Sequence, residues 1–244
     1  MIKELLKKLK IVLFTKRCDM CGEVVCFDQD FCEQCCLLSE IAEPLCSKCG
    51  CSKQECKCKK HQKEVEYKAV VAPFYYEVEY KAVVAPFYYE GSVTRAILNM
   101  KMNEMPKLVD YQGKCVADAV KKYYDAVEFD FVTFVPMRKE DKAARGYNQA
   151  ELLADVVSKE CNIPLKDILI KKRKTKVQKR QKASERFANM YNAFDVGKNA
   201  DLFGKKILLI DDVKTTGATL TSIALTLKAY GASSVYCAVV AIVK

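Results

Sequence analysis

Two adjacent carboxylates, Asp211 and Asp212, close the apolar run Ile207 to Ile210 and are followed by Val213-Lys-Thr-Thr-Gly-Ala-Thr219. A buried strand that ends on paired acids, then passes through a threonine- and glycine-rich turn into a helix, is suited to holding phosphate. The N–H groups of Thr215 to Thr219, the Thr216 and Thr219 hydroxyls and the positive end of the helix can wrap a dianion. Gly217 lets the backbone come close. The segment lacks both GxxxxGK(S/T) and GxGxxG, so it is neither a Walker loop nor a dinucleotide fingerprint. Paired carboxylates beside a phosphate suit the vicinal hydroxyls of a ribose. Adjacent acids at the end of a buried strand are costly unless used; an acidic helix cap on an ordinary α/β domain is the plain alternative.

A second chemistry lies at the other end of the chain. Of 14 cysteines, 11 fall between Cys18 and Cys58, while Cys115, Cys161 and Cys237 stand alone in apolar surroundings. Cys18-x2-Cys21 and Cys32-x2-Cys35 form two knuckles that deliver four thiolates to one Zn²⁺. Cys46, Cys49, Cys56 and Cys58 form a second set with an atypical CxC end, for which Cys51 is a substitute ligand. His61, in KKHQK, reads as solvated, with metal ligation as the alternative. With cysteine as every ligand and no open position, such a metal stabilises folding and does not activate water. A disulfide framework competes, but no secretory signal accompanies it.

The elements that must position these groups follow from composition and periodicity. The 244 residues, 50% apolar and 30% charged, suffice for one medium domain and a small module and exclude wholesale disorder or a collagen-like fibre. The net charge of +10 is concentrated: Lys171 to Lys182 holds eight of the 41 cations and no acid, leaving 33 against 31 acids elsewhere. That segment should meet phosphate, as a solvated flap, a pyrophosphate-binding flap or a groove for single-stranded nucleic acid. No apolar run approaches the ~18 residues of a membrane span. Residues 1–14, with Ile2, Leu5, Leu6 and Leu9 on one face, read as a docking helix, with a membrane-surface helix as the alternative, and not as a signal peptide, so the expected location is cytoplasmic.

Helical spacing appears at Val93 to Met100, Val116 to Tyr123, Ala150 to Val157 and Leu220 to Leu227. Buried strands are expected at FDFVTFVP, Leu165 to Ile170, KKILLIDD and VYCAVVAIV. Strands alternating with helices imply a mostly parallel sheet covered on both faces, with ligands at the carboxyl ends of its strands. EVEYKAVVAPFYY occurs twice in tandem, at Glu64 to Tyr76 and Glu77 to Tyr89. Two copies make no solenoid, so Tyr80 to Tyr89 should be the native strand segment, with Glu64 to Tyr76 an inserted loop or extra strand. Pro73 and Pro86 should end each strand.

The strand, Asp-Asp and Thr-Thr-Gly-x-Thr succession resembles the phosphoribosyl pyrophosphate (PRPP) motif of type I phosphoribosyltransferases. The wider chain resembles the ComF family, competence-associated proteins that join a cysteine-rich zinc-ribbon head to a phosphoribosyltransferase domain. The likeness rests on the CxxC pairs, Val135-Pro136 before RGYNQAELLA, then RKTKVQ, ERFANMYNAF and IDDVKTTGATL, in family order. The exact repeat, the crowded CxC end and Met137 after Val-Pro depart from the pattern.

The resemblance implies an α/β, type I phosphoribosyltransferase-like parallel sheet flanked by helices, with a small N-terminal zinc-ribbon. The expected divisions are a head at 1–62, the duplicated segment at 63–89 and the larger domain at 90–244. Asp211 and Asp212 would hold ribose and Mg²⁺, and Thr215, Thr216, Gly217, Ala218 and Thr219 the 5′-phosphate. Pyrophosphate would lie by Pro136 to Arg138 and Arg145 to Gln149, with Arg173, Thr175, Gln178, Arg186 and Asn189 on a flap. Arg145, Asn148 and Gln149 as a mere helix cap is the alternative. The implied role is a Mg²⁺-dependent PRPP site acting in DNA uptake during natural transformation. Two other readings are a module binding single-stranded DNA or a ribose phosphate without turnover, and an adaptor whose zinc head docks a partner in the DNA-uptake machinery.

Overall fold

A computed structural model describes residues 16–18, 20–25, 29, 31–36, 41, 50–52, 55, 80–102, 106–172, 193–198 and 200–243. Its centre is a parallel sheet of β1 (Val83–Val84), β2 (Phe87–Tyr88), β3 (Phe131–Phe134), β6 (Lys206–Lys214) and β7 (Ser234–Ile242). The order is β1-β7-β6-β3, and β2 also pairs with β7. The apolar runs of β6 and β7 are buried on both faces, as parallel strands between helices must be. Side-chain alternation divides them between two cores. Leu208 and Ile210 pack with α2 (Gly91–Met102), α3 (Pro106–Tyr123) and α5 (Gln149–Cys161). Ile207 and Leu209 pack with α6 (Ala218–Ala229) on the other face.

The second copy of the repeat supplies β1 and β2, as expected, and the first copy lies outside the described residues. Pro86 does not end the strand. It interrupts it: Val83 and Val84 pair with Cys237 and Ala238, and Phe87 and Tyr88 resume beside Ala241 and Ile242. Proline has no N–H for the ladder, while its carbonyl accepts from Ile41 N–H at 3.2 Å.

Two elements differ from expectation. The strand sought over Leu165 to Ile170 begins at Leu169; Leu165 makes only an isolated bridge to Val132. This β4 (Leu169–Lys171) pairs antiparallel with β5 (Phe194–Val196) in a separate two-stranded sheet. Their contact is non-local, and three-residue strands carry almost no period of their own. Helix α4 (Lys139–Arg145) is likewise invisible to periodicity, because none of its residues is buried.

The α3–α5 contact that fixes one flank of the sheet depends on Gly113. A Cβ there would stand 2.6 Å from Val156 Cβ, so the helices would have to part. Gly113→Ala is expected to destabilise the protein by about 1–3 kcal/mol, read as a lowered Tm of unchanged cooperativity; a Tm equal to wild type would refute this packing.

Candidate functional site

The first cysteine knuckle is a short hairpin in which Arg17 bridges Val24 antiparallel. Gly22, at φ 74°, closes its turn, and Cys18 N–H donates to the Glu23 carbonyl at 2.7 Å. The second knuckle ends in α1 (Glu33–Cys36), where Cys35 N–H donates to the Cys32 carbonyl at 2.9 Å. The two meet: the Sγ atoms of Cys18, Cys21, Cys32 and Cys35 all lie within 4.8 Å of one another, with Cys21 and Cys32 3.6 Å apart. Four sulfurs bound to zinc at ~2.3 Å in a tetrahedron stand about 3.8 Å apart, so the donor set fits a structural Zn²⁺. None of the described cysteines is in a disulfide. Burial pushes the Cys18 thiol up, but N–H groups of Cys21, Cys32 and Met20 outweigh it and bring it to about 7. Burial holds Cys21 at about 11 and drives Cys35 higher. Cys46, Cys49, Cys56 and Cys58 lie outside the described residues.

This cluster is set against α2 and α3. Asn99 Nδ2 donates to the Cys21 carbonyl at 2.5 Å, and the Ser92 hydroxyl bonds the Cys35 sulfur. Phe31 stacks on Tyr111 with ring centroids 4.9 Å apart. Cys18, Cys21 and Cys35 thereby share the core of the parallel sheet.

The carboxylate pair lies at the carboxyl end of α2. Lys101, in the last turn of that helix, places Nζ 2.7 Å from Asp212 Oδ2; the Asp212 side chain is 13% exposed. Asp212 N–H donates to Asp211 Oδ1 at 2.9 Å. Burial and then the Asp212 charge push the Asp211 carboxyl up to about 8, against the pull of the Asp212 N–H, Lys101 and Lys171. Two crowded carboxylates, one of them held protonated at neutral pH, form a donor set with room for a cation.

Beyond them the chain turns at Thr215 and Thr216, both exposed, to Gly217, the N-cap of α6 at φ 80°. Thr216 Oγ1 accepts from Ala218 N–H at 3.4 Å, and the Gly217 carbonyl accepts from Thr221 N–H at 2.9 Å. Thr219 is exposed in the first helical turn. The turn-to-helix geometry read from the sequence is therefore present.

The loop after β3 closes the other side. Arg138 and Asp211 both act on Lys171, whose ammonium is pushed down by burial and then by the Arg138 charge. Arg138 Nε and Gln149 Nε2 are buried without a hydrogen-bond partner. Asn148 is a helix cap: its side chain accepts from Ala150 N–H at 3.1 Å and donates to the Val135 carbonyl at 3.0 Å. Arg145, exposed, donates to Gln149 Oε1 at 2.7 Å. Tyr147 OH donates to the Met100 carbonyl at 2.7 Å, tying this loop to the turn of α2 that carries Lys101. Arg173, Thr175, Gln178, Arg186 and Asn189 lie outside the described residues. Sequence reading missed Lys101, which no local pattern joins to residue 212.

Residues 144–243 match the family model described as phosphoribosyl transferase domain. Over 103 residues the chain is 35% identical to Competence protein F of Haemophilus influenzae, covering 41% of this chain and 45% of that one. Over 86 residues it is 41% identical to Competence protein ComFC of Bacillus subtilis, covering 35% and 33%. The chain is similar to competence proteins of the ComF family and carries a match to the phosphoribosyl transferase domain. The chain spans a third to a half of the length of the curated relatives it matches. Among solved structures it aligns with a purine phosphoribosyltransferase from Pyrococcus horikoshii at 21% identity and TM-score 0.36, over 55% of this chain and 73% of the other. No helix among its described residues is long and apolar enough to cross a membrane.

Proposed function

We propose that the end of β6 binds PRPP with Mg²⁺, and that the protein serves DNA uptake in natural transformation. The observation that carries the binding is the succession Asp211, Asp212, turn and helix N-terminus on one continuous segment, with Lys101 already standing as a cation on Asp212. Asp211 and Asp212 accept the ribose hydroxyls, and the 215–219 backbone meets the 5′-phosphate. Arg138 and Gln149 hold buried donors with nothing to donate to, which suits a pyrophosphate beside them. The carboxylate pair would hold Mg²⁺, which supplies charge neutralisation for a departing pyrophosphate. Such a site supports displacement of pyrophosphate at the anomeric carbon by an acceptor's lone pair.

Calorimetric titration of PRPP with Mg²⁺ into wild type and Asp212→Ala tests this reading. Binding by wild type, weakened about 100-fold or more once the carboxylate is gone, is the expected outcome. No binding by either, with single-stranded DNA binding to both, would replace it by nucleic-acid handling. Transformation frequency in cells carrying Asp212→Ala reads the biological half.

A further inference from the structure

Three consecutive residues in the last turn of α2 are each held by a different part of the molecule. Asn99 Nδ2 donates to the Cys21 carbonyl at 2.5 Å. Met100 is fully buried, and its carbonyl accepts from Tyr147 OH at 2.7 Å. Lys101 Nζ stands 2.7 Å from Asp212 Oδ2. The cysteine knuckle and the loop before α5 thus fix the turn from which the Lys101 stem departs. The stem itself is free to move: four methylenes carry the ammonium, and the side chain is 30% exposed. Its head can swing off Asp212 without disturbing the helix.

Stability alone does not account for this contact. A partly exposed ion pair adds little to folding, and a cation in the last turn of a helix benefits from the helix dipole whatever it faces. Lys101 instead reaches across to β6, where its charge acts on Asp211 as well as on Asp212. Those are the carboxylates read above as the Mg²⁺ donors, so ammonium and metal contend for the same oxygens. A divalent cation arriving alone would leave the displaced ammonium beside a dication, with no new partner. A cation arriving with PRPP brings phosphate oxygens, which accept from an ammonium as a carboxylate does.

We propose, building on the PRPP reading above, that Lys101 is an exchangeable occupant of the carboxylate pair. It holds Asp212 in the ligand-free protein, gives way to Mg²⁺ when the metal arrives with PRPP, and then donates to an oxygen of the ligand's pyrophosphate. The pair is thereby kept neutralised while empty, and the site takes metal and PRPP together in preference to free metal.

The test measures two affinities in wild type, Lys101→Met and Lys101→Arg, each first shown by its melt to be folded. One is for Mn²⁺ alone, read by electron paramagnetic resonance; the other is for PRPP with Mg²⁺, read by calorimetry. Mn²⁺ takes the same oxygen donors as Mg²⁺, and Asp212→Ala gives the background from sites elsewhere. Lys101→Met should bind Mn²⁺ about tenfold more tightly than wild type, and PRPP with Mg²⁺ about tenfold more weakly. Lys101→Arg should follow wild type in both. A residue that only braced the fold would move the two affinities the same way. Parallel losses, or two unchanged affinities, would therefore overturn the exchange and leave the PRPP reading intact. No PRPP binding by wild type would overturn both. Should Lys101→Met not fold, Lys101→Gln, which keeps a donor for Asp212 but no charge, takes its place with the same opposed changes expected.

Discussion

Cys35→Ser protein is expected to lose its metal and to unfold around the head, with a Tm many degrees below wild type. Cys35 is buried: burial raises its affinity for the proton, and the Ser92 hydroxyl opposes this. Four such groups crowded within 4.8 Å are unfavourable as thiolates unless a cation sits among them. A structural Zn²⁺ contributes on the order of 10 kcal/mol to the folding of a small module, and here the module shares the main core. A zinc chelator under reducing conditions should reproduce the loss. Elemental analysis finding no zinc in folded wild type, or a Cys35→Ser protein that melts like it, would sink the assignment.

Asp211→Asn should stabilise the ligand-free protein at neutral pH while abolishing Mg²⁺·PRPP binding. In the folded chain the Asp211 carboxyl is raised from 3.8 to about 8, burial being the larger cause and the Asp212 charge the second. Between those values the unfolded chain has released the proton and the folded chain keeps it, so stability falls as pH rises from about 4 to about 8 and then levels off. Asparagine removes the slope. The Tm difference between variant and wild type should be near zero below pH ~4 and reach several degrees by pH ~8. A cation binding the pair must expel that proton, so wild-type affinity for Mg²⁺·PRPP should climb with pH over the same interval. Parallel melting curves for the two proteins at every pH would show that Asp211 is ionised throughout.

What the sequence disclosed and what it hid divide along the chain's own locality. Asp211 to Thr219 is legible because one strand end, one turn and one helix start are contiguous, and their chemistry needs no partner from afar. Cys18, Cys21, Cys32 and Cys35 are legible because two-residue spacing fixes each pair before tertiary structure exists. Lys101 is not, since only the docking of α2 brings it to Asp212. Lys214 reads as one more surface cation until the sheet buries it. The β4–β5 pair is hidden for the same reason: a three-residue strand acquires its identity from a partner more than twenty positions away.

Helix α2 gives the molecule a property of a different kind, its indivisibility. Twelve residues at 1.5 Å each make it about 18 Å long; it grips Cys35 through Ser92 in its first turn and Cys21 through Asn99 in its last, two residues from the Lys101 it delivers to Asp212. Val83 to Tyr88, just before it, are strands of the sheet. A fragment starting at residue 90 would forfeit an edge of the sheet and bare the face of α2 that the cysteine knuckles cover. The cysteine-rich head is a wall of the larger domain, and the two stand or fall together.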